Sequence, residues 1–146
     1  MVGRAIVRVL ERRKSAGAKI DILTQTRAET DLTDAAAVRE FFKQAKPTQV
    51  VLAAAKVGGI RANQNAPVDF LLENLEIQNQ VIETAHSVGV RKLLFLGSSC
   101  VYPKFAPQPI KKDALLSGPL EPTNEVRDRE NCRDQTLRRV SPPIWR

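Results

Sequence analysis

The sequence has few of the side chains that build metal sites, disulfide frameworks or membrane spans. Its 146 residues include one His, two Cys and one Trp, and no apolar run approaches the length of a transmembrane helix. Cys100 and Cys132 lack metal-ligand spacing and His86 has no second ligand nearby, so we expect no metal site. The N-terminus also lacks the apolar stretch of a signal peptide, so the sequence predicts a soluble, cytoplasmic chain without a membrane partner.

Basic residues exceed acidic ones, and the net charge of +7 raises the alternative of nucleic-acid binding. Residues 1–125 carry 17 Lys or Arg and 13 Asp or Glu, whereas residues 126–146 carry six and three. Much of the excess therefore falls in a terminal segment without apolar periodicity, which is typical of a solvated segment. A basic module contacting nucleic acid through Arg133, Arg138 and Arg139 is the alternative function, but we expect no such partner.

Helical and strand patterns alternate along the chain. Three segments place apolar residues at helical spacing: GRAIVRVLERRK (3–14), AAAVREFFKQAK (35–46) and DFLLENLEIQNQVIETAHSVG (69–89). Three apolar runs are predicted to be strands, the last two of them buried: IDIL (20–23), QVVLAAA (49–55) and KLLFLGSS (92–99). We expect Asp34 to cap the second helix, Gly89 to follow the third, and the segment around Asn63 to be a loop. The order predicts an α/β fold with parallel strands.

Candidate ligand-binding residues follow the predicted strands, because ligands of such sheets lie at the carboxyl ends of the strands. Arg27 could pair with the 2′-phosphate of a dinucleotide or be a solvated surface side chain. Gly58 and Gly59 could allow the backbone to approach a ligand closely or could form a plain turn.

Polar residues also follow the last predicted strand. Ser98 and Ser99 could donate hydrogen bonds to a substrate carbonyl or could cap a turn. Cys100 could transfer protons in a polar cleft or be an inert packed thiol.

Three longer segments carry a family resemblance. LAAAKVGGIRAN, KLLFLGSSCVYPK and LEPTNE, in this order and spacing, resemble the GDP-L-fucose synthase family of the extended short-chain dehydrogenases/reductases, and the resemblance covers residues 1–125. It implies a doubly wound, Rossmann-type parallel sheet that binds NADP. It also implies NADPH-dependent 3,5-epimerisation and 4-reduction of a GDP-sugar, GDP-4-dehydro-6-deoxy-D-mannose, by a homodimer built partly through residues 69–89.

The resemblance also implies roles for individual residues. Ser98 matches the residue that binds the substrate carbonyl, and Cys100 matches the thiol that transfers protons during epimerisation. Arg27 matches the 2′-phosphate contact. The other residues implied in cofactor binding are Val2, Gly3, Asp31, Leu32, Leu96, Gly97, Ser98 and Ser99.

The sequence departs from the family at both ends of the resemblance. The family opens with a strand and a Gly-rich turn that presents backbone N–H groups to the pyrophosphate, and only Val2 and Gly3 match that turn here. We therefore expect a partial sheet lacking the first strand. After Glu125 the family continues with P-Y-x-x-x-K, in which the Tyr donates a proton and the Lys lowers its pKa. Arg127 and Asn131 stand at those two positions.

Residues 126–146 can be back-translated into a nucleotide sequence whose shifted reading frame encodes a different peptide. A back-translation of VRDRENCRDQ, shifted by one nucleotide, encodes YAIAKIAGIK, which restores the family's Tyr-x-x-x-Lys spacing. We therefore predict a frameshift after Glu125 and an out-of-frame, disordered tail. The expected chain is a partial NADP-binding domain (1–125) without a substrate domain, aggregation-prone, weak in NADP binding and not catalytically competent.

Overall fold

The computed structural model describes residues 2–97, 101–115 and 117–118. Its elements in chain order are α1 (Val2–Ser15), α2 (Ala35–Ala45), β1 (Gln49–Leu52), α3 (Ile60–Asn65), α4 (Pro67–Ser87), β2 (Lys92–Phe95) and a 3₁₀ turn (Lys112–Ala114). The two strands are parallel neighbours, with Gln49 opposite Lys92 and Leu52 opposite Phe95. The predicted α/β fold with parallel strands is confirmed.

The hydrophobic core lies between one face of the sheet and two helices. Helix α2 packs on α4, and α4 packs on β1. The buried core side chains come from α2, β1, α4 and the turn before β2: Val38, Phe42, Leu52, Ile77, Val81, Ala85 and Val90. Because side chains alternate along a strand, Val50 and Leu52 of β1 share this face with Leu93 and Phe95 of β2.

The opposite face of the sheet is largely exposed. Val51 and Leu94 are paired in register, and they are 41% and 48% exposed. The prediction that these two strands are buried is therefore wrong for this face, because α2 and α4 pack on the face that holds Leu52. The strands are also shorter than predicted and end at Leu52 and Phe95.

Two local predictions are corrected. Residues 20–23 form no strand, although their apolar, β-branched composition favours one. A strand needs a neighbour for its backbone N–H and C=O groups, and the sheet of the described residues consists of β1 and β2 alone. The segment around Asn63 is the helix α3 rather than a loop, and the Asn63 amide donates to the carbonyls of Gly58 and Gly59.

The helix boundaries follow their local sequence signals. The Asp34 carboxylate accepts hydrogen bonds from the N–H groups of Ala36 and Ala37 at 2.7 and 3.2 Å, which confirms the predicted N-cap. Helix α4 ends at Ser87, and Gly89 adopts a positive φ of 76°, which only glycine accepts at low cost. The helical prediction for residues 3–14 is confirmed by α1, which is one residue longer at each end.

The two glycines before α3 differ in the space around them. A Cβ on Gly58 would lie 2.8 Å from Cζ of Phe70 and 3.0 Å from Cβ of Ala62, whereas a Cβ on Gly59 would meet nothing within 4 Å. Gly58 is therefore needed for the close packing of this turn on α3 and α4, and Gly59 is not.

We expect Gly58→Ala to lower the free energy of unfolding by about 1–3 kcal/mol, because the added methyl group overpacks the contact with Phe70 and Ala62. The matched control Gly59→Ala should cost less than about 1 kcal/mol. Urea unfolding followed by circular dichroism measures both values. Equal costs for the two variants would contradict this packing.

Candidate functional site

The carboxyl ends of the two strands form one edge of the sheet. The Leu96 N–H donates to the carbonyl of Leu52 at 3.2 Å, so the strand ladder continues one residue past β2, and the exposed Gly97 follows. A Cβ on Gly3 would lie 3.4 Å from Cβ of Ala53, which places the start of α1 beside the end of β1. Residues from two predicted cofactor segments, Gly3 on one side and Leu96 and Gly97 on the other, therefore lie at this edge.

The predicted catalytic residues come next along the chain. Ser98, Ser99 and Cys100 directly follow Gly97 and lie outside the described residues. Their roles stay predictions that rest on the sequence.

Arg27 lies in a turn whose shape is fixed by its neighbours. The Glu29 carboxylate accepts hydrogen bonds from the N–H and the hydroxyl of Thr26 at 2.7 and 2.8 Å. These two hydrogen bonds lower the pKa of Glu29 below its ordinary value, the backbone bond contributing most. The Arg27 side chain projects from this turn and is 71% exposed.

A second turn follows and holds the predicted contacts Asp31 and Leu32. The Asp31 carboxylate accepts from the N–H and the hydroxyl of Thr33 at 2.9 and 2.8 Å, and these bonds lower the pKa of Asp31. Leu32 packs against the core, and Gln80 of α4 donates to the Thr33 carbonyl at 2.7 Å. The turn is thereby attached both to the core and to α4.

Lys56, four residues past β1, is held by a buried amide of α4. Asn74 accepts a hydrogen bond from the Lys56 N–H at 2.8 Å and donates one to the Lys56 carbonyl at 2.9 Å. The same amide donates to the Phe70 carbonyl at 2.7 Å, and Asn74 is 5% exposed. The Asn74 side chain therefore pairs with both the backbone N–H and the backbone carbonyl of Lys56, which lies outside the helices and strands.

Glu73 joins the two loops. Its carboxylate accepts from the Lys56 ammonium at 2.8 Å through Oε2 and from Nη1 of Arg27 at 3.1 Å through Oε1. The hydrogen bond from Lys56 is the largest cause that lowers the pKa of Glu73, with the charge of Arg27 adding to it. The Lys56 ammonium also lies 5.3 Å from the centre of the Phe70 ring.

Sequence reasoning missed Glu73 and Asn74. One signal was available for Asn74, because it lies four residues after Phe70 and three before Ile77, on the apolar side of α4. A buried amide at such a position normally has defined hydrogen-bond partners. The sequence did not mark Glu73 as a site residue, because an acidic residue on a helix is ordinarily exposed to solvent.

The Arg27 guanidinium has N–H donors that can bind a phosphate. In the described part of the chain, the Arg27 guanidinium forms ion pairs with the carboxylates of Glu73, at 3.1 Å, and Asp31, at 3.8 Å, through Nη1 and Nε. Its second terminal nitrogen is therefore available to a ligand. A guanidinium with an open edge matches the geometry of a phosphate, so these residues fit a phosphorylated cofactor.

The described residues contain no helix with both the length and the apolar character required to cross a bilayer.

Comparison with known proteins identifies a family and several relatives of this chain. Residues 1–126 match the model of the NAD dependent epimerase/dehydratase family. The chain is 57% identical over 125 residues to GDP-L-fucose synthase 1 of Arabidopsis thaliana and 51% identical over 125 residues to GDP-L-fucose synthase of Escherichia coli (strain K12). Each alignment covers 86% of this chain and 38% of the relative, so the chain spans little more than a third of their length.

A solved structure shares the fold. The structure of a GDP-L-fucose synthetase from Naegleria fowleri bound to NADP superposes with a TM-score of 0.81 at 28% sequence identity. The match covers 94% of this chain and 44% of the other. The predicted resemblance is confirmed by these findings, and the chain belongs to the NAD dependent epimerase/dehydratase family.

Proposed function

We propose that residues 1–125 are the cofactor-binding part of a GDP-L-fucose synthase that uses NADP. The family reaction is the NADPH-dependent 3,5-epimerisation and 4-reduction of GDP-4-dehydro-6-deoxy-D-mannose in cytoplasmic nucleotide-sugar synthesis. The observation that carries the proposal is the exposed Arg27 guanidinium, which Glu73 ties to the Lys56 loop at the strand ends. The 57% and 51% identity to named GDP-L-fucose synthases supports it.

We assign the proposed cofactor contacts to residues at or near the carboxyl ends of β1 and β2. Arg27 binds the 2′-phosphate, the turn at Asp31 and Leu32 lies beside it, and Leu96 and Gly97 border the nicotinamide half. Val2 and Gly3, at the start of α1, are the proposed pyrophosphate side, because backbone N–H groups at a helix start attract phosphate.

The proposed catalytic residues are Ser98 and Cys100. Ser98 orients the substrate carbonyl by hydrogen bonding, and the thiol of Cys100 exchanges a proton with the sugar during epimerisation. The bound cofactor supplies the hydride for the reduction at C4.

We propose that this chain does not itself reduce the keto sugar. Arg127 and Asn131 stand where the family has the proton-donating Tyr and its Lys. An Arg remains charged and cannot donate the proton at neutral pH, and an Asn carries no charge that could lower a pKa. Residues 126–146 are, in this proposal, an out-of-frame tail without a nucleic-acid partner.

A second copy of the family chain is the proposed protein partner, as the family forms homodimers. Helix α4 supports this proposal, because Val68 and Leu72, one turn apart, are 61% and 52% exposed. Apolar side chains exposed together on one helix are suited to a protein interface.

The cofactor proposal is tested by comparing adenosine 2′,5′-bisphosphate with adenosine 5′-monophosphate, which lacks the 2′-phosphate. We expect the chain to bind the bisphosphate more tightly, and Arg27→Met to remove that preference, because a charged hydrogen bond to phosphate contributes about 1.5–3 kcal/mol. NMR chemical-shift titration measures both affinities even when they are weak. Arg61→Met is the control, since Arg61 is an exposed residue of α3. A preference retained in Arg27→Met would refute the assignment of Arg27.

The catalytic proposal is tested by the oxidation of NADPH in the presence of GDP-4-dehydro-6-deoxy-D-mannose. We expect no oxidation above the buffer rate, because the proton donor is replaced by Arg127. The E. coli relative, assayed in parallel, is the positive control. Sugar-dependent oxidation by this chain would contradict the proposal.

A further inference from the structure

We infer that Glu73 and Lys56 are positioning residues that set how tightly Arg27 holds a 2′-phosphate: Glu73 competes with the phosphate for Arg27, and Lys56 weakens that competition. The inference rests on the proposed NADP site and extends it to a helix and a loop that do not belong to the cofactor turn. Neither residue is expected to touch the phosphate.

The geometry shows a shared carboxylate. Oε1 of Glu73 accepts from Arg27 at 3.1 Å and Oε2 accepts from Lys56 at 2.8 Å, so each cation has its own oxygen. The Glu73 side chain is 18% exposed, and water screens its charge less than it screens that of a fully exposed carboxylate. The Glu73 carboxylate therefore competes with any anion that approaches the Arg27 guanidinium.

The two cations differ in how firmly they are held. Lys56 is fixed through its backbone by Asn74, its ammonium lies over the Phe70 ring, and its side chain is 32% exposed. Arg27 is 71% exposed, and among the residues that the structure describes its side chain is held by a single hydrogen bond, to Glu73. When a phosphate draws Arg27 away, Lys56 therefore stays at Glu73 and keeps this carboxylate neutralised.

The competing role belongs to Glu73 rather than to Asp31. Asp31 lies 3.8 Å from Nε of Arg27, and its other oxygen is occupied by the N–H and the hydroxyl of Thr33. Asp31 is thus bound within its own turn, and its separation from the guanidinium exceeds hydrogen-bond distance. Glu73 makes the only hydrogen bond to the Arg27 side chain among the described residues.

Electrostatics fixes the sign of each effect. Removing the Glu73 charge removes both the rival acceptor and a negative charge beside the phosphate, so phosphate affinity should rise. Removing the Lys56 charge leaves Glu73 with Arg27 as its single cationic partner, so phosphate affinity should fall. Lys56 and Arg27 share the Glu73 carboxylate, so a change in the affinity of one for Glu73 changes the affinity of the other by the same factor.

The experiment uses the whole chain and a double-mutant cycle of Glu73→Gln and Lys56→Met. Affinities for adenosine 2′,5′-bisphosphate and adenosine 5′-monophosphate are measured by NMR titration, and the amide spectrum of each variant reports its fold. Glu76→Gln, which removes an exposed charge from the same helix, is the matched control. Lys56→Arg keeps the charge and covers the case in which Lys56→Met fails to fold.

We expect Glu73→Gln to bind the bisphosphate about five-fold more tightly and Lys56→Met to bind it about five-fold more weakly, the size of a modest coupling between sites. The double variant should match Glu73→Gln, because Lys56 acts only through the Glu73 charge. Affinity for the monophosphate should stay within about two-fold in every variant, and Glu76→Gln and Lys56→Arg should resemble the parent chain.

Several results would overturn the inference. Unchanged or weaker bisphosphate binding by Glu73→Gln would show that its carboxylate is no rival, and this variant alone decides that point. A weakening by Lys56→Met that persists in the double variant would show that Lys56 acts directly. If the parent chain does not distinguish the two nucleotides, the proposed cofactor site itself is wrong and the inference falls with it.

Discussion

The candidate site depends on one buried amide, that of Asn74. After β1 ends at Leu52, the described residues provide no further strand partner, and without Asn74 the N–H and carbonyl of Lys56 would lack hydrogen bonds close to the core. Asn74 supplies both, at 2.8 and 2.9 Å, and uses its remaining donor on the Phe70 carbonyl. Leaving such groups unpaired costs about 1–3 kcal/mol each, so the path of the chain beyond the strand is set by α4.

Helix α4 consequently organises both loops at the edge of the sheet. The clamp by Asn74 puts the Lys56 ammonium beside Glu73, and Glu73 in turn holds Arg27 of the preceding turn. About two helical turns beyond Glu73, Gln80 donates a hydrogen bond to the Thr33 carbonyl. The loop after β1 and the turns around residues 26–34 are therefore connected by hydrogen bonds to α4. A change of charge at Lys56 consequently alters the electrostatic energy of Arg27 through Glu73.

The sequence predicted those parts of the structure that depend on local chemistry. Apolar periodicity placed α1, α2 and α4, and the side chain of Asp34 and the positive φ of Gly89 mark helix ends as expected. It failed where a distant partner decides the outcome. Within the described part of the chain, residues 20–23 have strand composition but no strand neighbour. Val51 and Leu94 are apolar but exposed, because the described helices α2 and α4 pack on the other face of the sheet.

The candidate site was predicted in the same uneven way. Arg27 and the residues after the strands were found because their positions follow from the order of strands and from the family motifs. The residues that hold them in place were not predicted. Glu73 lies 46 residues from its partner Arg27, and Asn74 lies 18 residues from its partner Lys56. Such pairs become visible only once the helix is packed on the sheet.

Hydrogen exchange at the Lys56 amide tests this account most directly. Lys56 lies in a segment without helix or strand, so its amide would exchange near the intrinsic rate if nothing held it. The account predicts exchange at least about ten-fold slower in the parent chain, from the bond to Asn74, and loss of that protection in Asn74→Ala. Fast exchange in the parent chain, or equal protection in both, would contradict it.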